Sequence, residues 1–243
     1  MDVTRRQFMG TAAAFGATLL SNRNSHSFPF DVASASSVIL FQGDSVTDNY
    51  HNRTIADANI DRALGTGYPY LIASEELREH PASGFRFFNR GVSGNKIPDL
   101  EARWQTDTLD LKPDVLSILI GVNDFWHTML NGYTGTLETY HSHYLALVEN
   151  TRKALPNARF VIIEPFALRG KFVDDKWYPA FAGYQAAAKE VARQASATFV
   201  PLQHAFDKAS ERTGPAYWTA DGVHPTPAGH ELIAEQWRKA VHL

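Results

Sequence analysis

Short apolar runs bounded by turn-forming residues recur along the chain, and stretches with helical spacing separate them. Runs at 37–41, 85–88, 115–120, 160–163 and 198–200 are rich in β-branched or aromatic residues, the pattern of buried strands. Residues 70–79 carry Leu71, Ile72 and Leu77, and 97–106 forms a further helical stretch. Residues 137–155 align Tyr140, Tyr144, Leu147, Val148 and Leu155, and 181–197 align Tyr184, Ala188 and Val191. The tail, 227–241, repeats the pattern with Leu232, Ile233 and Trp237; Thr226 before Pro227 reads as a threonine cap and a proline at the first helical position. Strands alternating with helices predict right-handed crossovers and a parallel sheet covered on both faces. The expected fold class is α/β: a three-layer αβα sandwich on a five-stranded parallel sheet of flavodoxin-like topology, strand order 2-1-3-4-5.

In such sheets ligands bind beyond the carboxyl ends of the strands, where the strand order reverses. Ser45, in Gly43-Asp44-Ser45-Val46-Thr47-Asp48, follows the first strand and falls at that point. Gly94, in Asn89-Arg90-Gly91-Val92-Ser93-Gly94-Asn95, follows the second, and Asn123, in Gly121-Val122-Asn123-Asp124, follows the third. Asp221-Gly222-Val223-His224 comes after the fifth and runs into Pro225. All four blocks therefore converge on one edge.

Their residue types fit acyl transfer. Serine is a weak nucleophile until a base takes its proton, and a histidine base works best when a carboxylate fixes its tautomer. Asp221 and His224 are spaced so that the carboxylate reaches one ring nitrogen while the other faces the edge. The backbone N–H groups of Ser45 and Gly94 and the Asn123 amide are the expected oxyanion donors. Each block alone also reads as an ordinary strand-to-helix turn or capping turn; the serine-hydrolase reading rests on finding them together in this order. Asp44 and Asp48 are expected to bond backbone around the nucleophile turn.

Other chemistry finds no footing. The chain lacks a Gly-x-Ser-x-Gly elbow, Gly91–Lys96 has the wrong spacing for a phosphate loop, and Gly65-Thr66-Gly67 is no dinucleotide fingerprint. His141, His143, His204 and His230 have no partners suggesting a metal, so neither metal nor cofactor is expected. With a net charge of −3 and Lys and Arg interleaved with Asp and Glu, there is no basic stripe for nucleic acid. The absence of cysteine excludes disulfides, thiolate catalysis and a cysteine-linked lipid. Trp126, Tyr217 and Trp218 flank the blocks, either as a platform for a sugar ring or as core packing; Trp177 and Tyr178 lie further off, and Trp237 reads as core. The long polar stretch 49–67 is either a functional rim or lid or an insertion packed on the surface.

The N-terminus stands apart. Thr4-Arg5-Arg6-Gln7-Phe8 precedes an Ala/Gly-rich, weakly apolar run at 10–20, too short for a stable membrane span. It reads as an export signal of twin-arginine type, predicting a periplasmic or secreted protein. Cleavage fits either near Ala33-Ser34-Ala35 or nearer Ser25 or Ser27. Residues 1–35 are therefore assigned to signal and linker, and 36–243 to a single domain.

Together the four blocks resemble those of the SGNH (GDSL-type) hydrolase superfamily, with Ser45, Gly94, Asn123 and His224 at its four naming positions. Leu64-Gly65-Thr66-Gly67-Tyr68, Asp99-Leu100-Glu101-Ala102-Arg103-Trp104 and the stretch from Lys112-Pro113-Asp114 to Asn123-Asp124 are similar to bacterial acetyl-xylooligosaccharide esterases. That resemblance implies deacetylation of acetylated xylan or xylo-oligosaccharides through an acyl-enzyme, and leaves room for a homo-oligomer. The export signal departs from cytoplasmic members of the group and suggests a polymeric or extracellular substrate. Two rivals remain: a lipid acylhydrolase or thioesterase using the same site, and a sugar-binding pseudo-hydrolase.

Overall fold

Alternation along the buried strands decides the layers. In the computed structural model, which describes residues 37–243, five strands form one parallel sheet. They are β1 (Val38–Gly43), β2 (Arg86–Asn89), β3 (Val115–Leu119), β4 (Arg159–Ile163) and β5 (Thr198–Val200), in the order 2-1-3-4-5. Leu40, Leu116, Ile118 and Ile162 point into one core; Ile39, Phe41, Val115, Val161 and Ile163 point into the other. Both faces are covered, which is why the strands read as unbroken apolar runs.

The first core is closed by α4 (Ile97–Trp104), α5 (Val122–Leu130), α6 (Leu137–Ala154) and α7 (Ala180–Gln194). The second is closed by α3 (Tyr68–Glu79), α8 (Gln203–Thr213) and α9 (Pro227–Ala240), with the single-turn helices α1 (Ser45–Asp48) and α2 (Asp61–Leu64) at its edge. Two polar pairs cross these cores: Trp237 Nε1 donates to Ser117 Oγ at 2.8 Å, and Trp104 Nε1 donates to Thr151 Oγ1 at 2.8 Å. The α/β sandwich and its strand order are as the sequence predicts.

Several boundaries differ for local reasons. Helix α3 begins at Tyr68, with Pro69 in its first turn where a missing N–H costs nothing. The helix expected over 97–106 ends as α-helix at Trp104 and continues as a π-helical turn, Gln105–Leu109. Helix α5 grows directly out of the third block. Helix α8 has no counterpart among the apolar patterns of the sequence, because it buries only Phe206 and so lacks an apolar stripe. Trp237 is fully buried, as expected of a core residue. The expected export signal lies outside the described residues. No helix among the described residues is long and apolar enough to cross a membrane.

Candidate active site

Strand β1 ends at Gly43, and the chain turns at once into α1. The buried Asp44 caps this turn: its Oδ1 accepts the Val46 N–H at 3.0 Å, which leaves the Ser45 N–H out of the cap. Ser45 Oγ lies 2.9 Å from His224 Nε2. On the other side of the ring, His224 Nδ1 is 2.7 Å from Asp221 Oδ2. Asp221 Oδ1 accepts the N–H groups of Val223 at 2.9 Å and His224 at 2.8 Å. Burial works against ionisation of Asp221, but these bonds outweigh it and hold the carboxyl below its ordinary value. An ionised carboxylate keeps the proton on Nδ1 and leaves Nε2 to accept from the serine hydroxyl.

The turn carrying Asp221 and His224 rests on the segment after β4. Leu168 N–H donates to Gly222 O at 2.8 Å, and Phe172 N–H donates to Asp221 O at 2.9 Å. Gly222 has φ +105°, and a Cβ there would come within 2.5 Å of Leu168 O, so only glycine fits this approach.

The expected oxyanion donors come from two other strand ends. Gly94 adopts φ +82°, yet a Cβ there would meet nothing within 4 Å, so glycine answers to the backbone rather than to crowding. Asn123 is buried in the first turn of α5, and its Nδ2 donates to Asn95 O at 3.2 Å. A primary amide has a second N–H, which remains for a ligand.

A polar lattice sits behind these donors. Asp48 Oδ2 accepts from Ser93 N at 3.0 Å and Ser93 Oγ at 2.6 Å, while its Oδ1 pairs with His51 Nδ1 at 2.7 Å. Burial opposes ionisation of Asp48, but the bonds from His51 and Ser93 prevail and hold its pKa down. Asp48 thus reaches beyond its own turn to the loop of Gly94. Arg103 donates from Nε to Asn95 Oδ1 at 2.8 Å, and from Nη1 to Gln42 Oε1, Arg90 O and Asp107 Oδ2 at 2.9, 2.8 and 2.9 Å. Asp124 Oδ1 accepts the Ile97 N–H at 3.0 Å. Burial pushes both Asp44 and Asp124 up to about 7.

Of the three aromatic candidates, Trp126 comes to the site, its ring centroid 6.3 Å from that of His224. Tyr217 and Trp218 pack on each other at 5.1 Å; Trp218 turns its N–H to Thr213 Oγ1 at 2.8 Å and leans on the second core. Trp177, expected further off, is buried 5.9 Å from Trp126 and supports it. Phe172, 41% exposed and 5.4 Å from Trp126, was missed. It is a lone aromatic just after the polar stretch Arg169-Gly170-Lys171, and its backbone N–H, donated to Asp221 O, ties it to the catalytic turn. His230 is not a second base: burial, then the neighbouring His224, push it down to about 4, and its Nδ1 accepts the Tyr68 N–H at 3.2 Å. Among the described residues, no three or more His, Cys, Asp or Glu side chains are grouped to hold a metal ion.

The sequence profile of the GDSL-like lipase/acylhydrolase family matches residues 41–232. An acetylxylan esterase of Geobacillus stearothermophilus is 32% identical over 214 residues, covering 84% of this chain and 93% of that protein. Its crystal structure superposes with a TM-score of 0.78 over 87% of this chain and 96% of that one, at 29% identity. The crystal structure of a protein described as a GDSL-like lipase from Parabacteroides merdae gives a TM-score of 0.84 at 44% identity, covering 85% of this chain and 96% of that one.

Proposed function

We propose, since this chain belongs to the GDSL-like lipase/acylhydrolase family and is a carboxylic ester hydrolase, that it removes acetyl groups from O-acetylated carbohydrate, on xylan or xylo-oligosaccharides. Ser45 Oγ attacks the ester carbonyl while its proton passes to His224 Nε2. Negative charge then forms on the carbonyl oxygen, where the Ser45 and Gly94 N–H groups and the free Asn123 N–H stabilise it. The C–O bond to the sugar breaks as His224 returns its proton to the departing hydroxyl. Water repeats the sequence on the acetyl-enzyme, releasing acetate. Asp221 holds the tautomer and stabilises the imidazolium without taking a proton.

The observation that carries the carbohydrate reading is the aromatic wall of Trp126 and Phe172 beside His224. A pyranose lays its C–H face on such a wall while its hydroxyls meet polar groups at the rim.

The deciding experiment measures acetate release from acetylated xylo-oligosaccharides alongside acetyl and octanoyl esters and a lysophospholipid. The expected result is acetate from the sugar and at least about a tenfold preference in kcat/KM for acetyl over octanoyl, with Ser45→Ala folded and inactive. Faster hydrolysis of the octanoyl or phospholipid substrates, with no acetate from the sugar, favours the lipid reading instead. Export is the other part of the proposal, motivated by Arg5-Arg6 ahead of the weakly apolar run. Replacing both arginines by lysine should leave the precursor inside the cell; normal export of that variant refutes it.

A further inference from the structure

Apart from His51, which pairs with Asp48, the stretch 49–67 plays no part in the chemistry above, yet its geometry is unusual. Asn49 and Tyr50 follow α1 directly and both adopt positive φ, 33° and 66°. Asparagine tolerates that region; a tyrosine there is an outlier, and such outliers cluster at ligand clamps. Both flanks of Tyr50 are tied down. Thr66 N–H donates to Asn49 O at 3.0 Å, Asn49 Nδ2 donates to Thr66 Oγ1 at 2.9 Å, and the buried His51 pairs with Asp48. Between these anchors the Tyr50 side chain is held 90% exposed.

What it borders is a cleft of about 340 Å³, lined by Tyr50, Asp61, Arg62, Thr66, Tyr70 and Leu71. The cleft sits between the residues that follow α1, the helix that begins at Ser45, and the first turn of α3. Its near wall continues from α1, whose Asp48 carboxylate binds the Ser93 N–H and hydroxyl beside Gly94. Its far wall is the first turn of α3, which leaves Gly67 next to His230. Two tyrosines beside a carboxylate, a guanidinium and a hydroxyl suit neither an acyl chain, which wants an unbroken apolar lining, nor a polyanion, which Asp61 would repel. They suit a neutral sugar chain, whose rings present apolar faces to aromatic side chains and hydroxyls to the polar groups between.

We propose that this cleft is an accessory subsite for the backbone of a neutral oligosaccharide, with Tyr50 and Tyr70 stacking on its rings, so that the ester at Ser45 is presented on a chain held on both sides. The inference rests on the carbohydrate reading but is tested separately from it. Deacetylated xylohexaose is titrated calorimetrically into Ser45→Ala and into the same protein carrying Tyr50→Ala or Tyr70→Ala. Either added substitution should weaken binding about tenfold. In the otherwise native enzyme, Tyr50→Ala should raise KM for acetylated xylohexaose by a similar factor, with 4-nitrophenyl acetate hydrolysis unchanged. Undiminished affinity in both tyrosine variants overturns the subsite. So does a fall in oligomer mass in Tyr50→Ala with sugar affinity intact, which would make the cleft a contact between copies of the chain. Binding that depends on Tyr50, with no acetate released by the native enzyme, leaves the subsite standing and removes the acetyl reading instead.

Discussion

Ser45, Gly94 and Asn123 reach the sheet edge from the ends of three different strands, whereas Asp221 and His224 leave a single turn three residues apart. The donor side is fastened from behind by long-range polar contacts: Asp48 to Ser93, Arg103 to Asn95, Gln42 and Arg90, and Asp124 to Ile97. The base side is fastened mostly by its own backbone, with two N–H groups folded onto Asp221. The difference fits the proposed division of labour between the two sides. Donors that stabilise developing charge need fixed mutual positions across separate segments. A base needs one hydrogen bond on each ring nitrogen, which a four-residue turn can supply.

The sharpest way to break the base side is Asp221→Asn, which keeps the shape and loses the charge that fixes the tautomer. kcat should fall by about 10⁴-fold near neutral pH. A loss under tenfold in a variant with native circular dichroism would mean that Asp221 does not orient His224.

Breaking the donor side at its tip should cost less. Asn123→Ala is expected to lower kcat by about 10²–10³-fold with KM nearly unchanged, because the amide acts on charge present only in the transition state. A loss confined to KM would assign Asn123 to substrate binding.

A smaller effect comes from loosening the lattice behind the donors. Arg103→Lys keeps the cation near Asp107 but loses the planar fork that also serves Asn95, Gln42 and Arg90. About a tenfold fall in kcat is expected, and it should be much less than additive with Asn123→Ala, since both act through the same donor. Full additivity in the double variant would show that Arg103 acts on turnover independently of Asn123.

The last effect is on stability rather than rate. Burial raises the Asp44 pKa from 3.8 to about 7, so the folded state keeps a proton that the unfolded chain releases above its ordinary value. Stability therefore falls as pH rises from about 4 towards 7, and the loss is complete above that. Asp44→Asn retains an oxygen for the Val46 cap without the charge. Its melting temperature should decline less between pH 4.5 and 7.5 than that of the native protein; matching slopes would show that Asp44 does not titrate there.

What the sequence made legible follows the same division. Strand ends and the blocks after them are local signals, so the residues at the edge could be named in advance from apolar runs and turn residues. The lattice could not, because Arg103 and Asn95 meet only through the turn after β2, and Asp48 meets Ser93 across 45 positions. Helix α8 hid for another reason: a helix with one buried side chain has no hydrophobic period to read. Phe172 carried no pattern of its own, since its place depends on a backbone bond to a residue far along the chain.

The segment after β4 carries two duties on one short piece of backbone. It supports the turn of Asp221 and His224 through Leu168 and Phe172, and it supplies the Phe172 ring to the aromatic wall. Under selection these duties cannot drift apart. On the proposed function, a lineage that reshapes this stretch to admit a new alcohol also disturbs the footing of its base. Substrate range and turnover should therefore diverge together among descendants of this chain, with changes in preference recorded first as losses in speed.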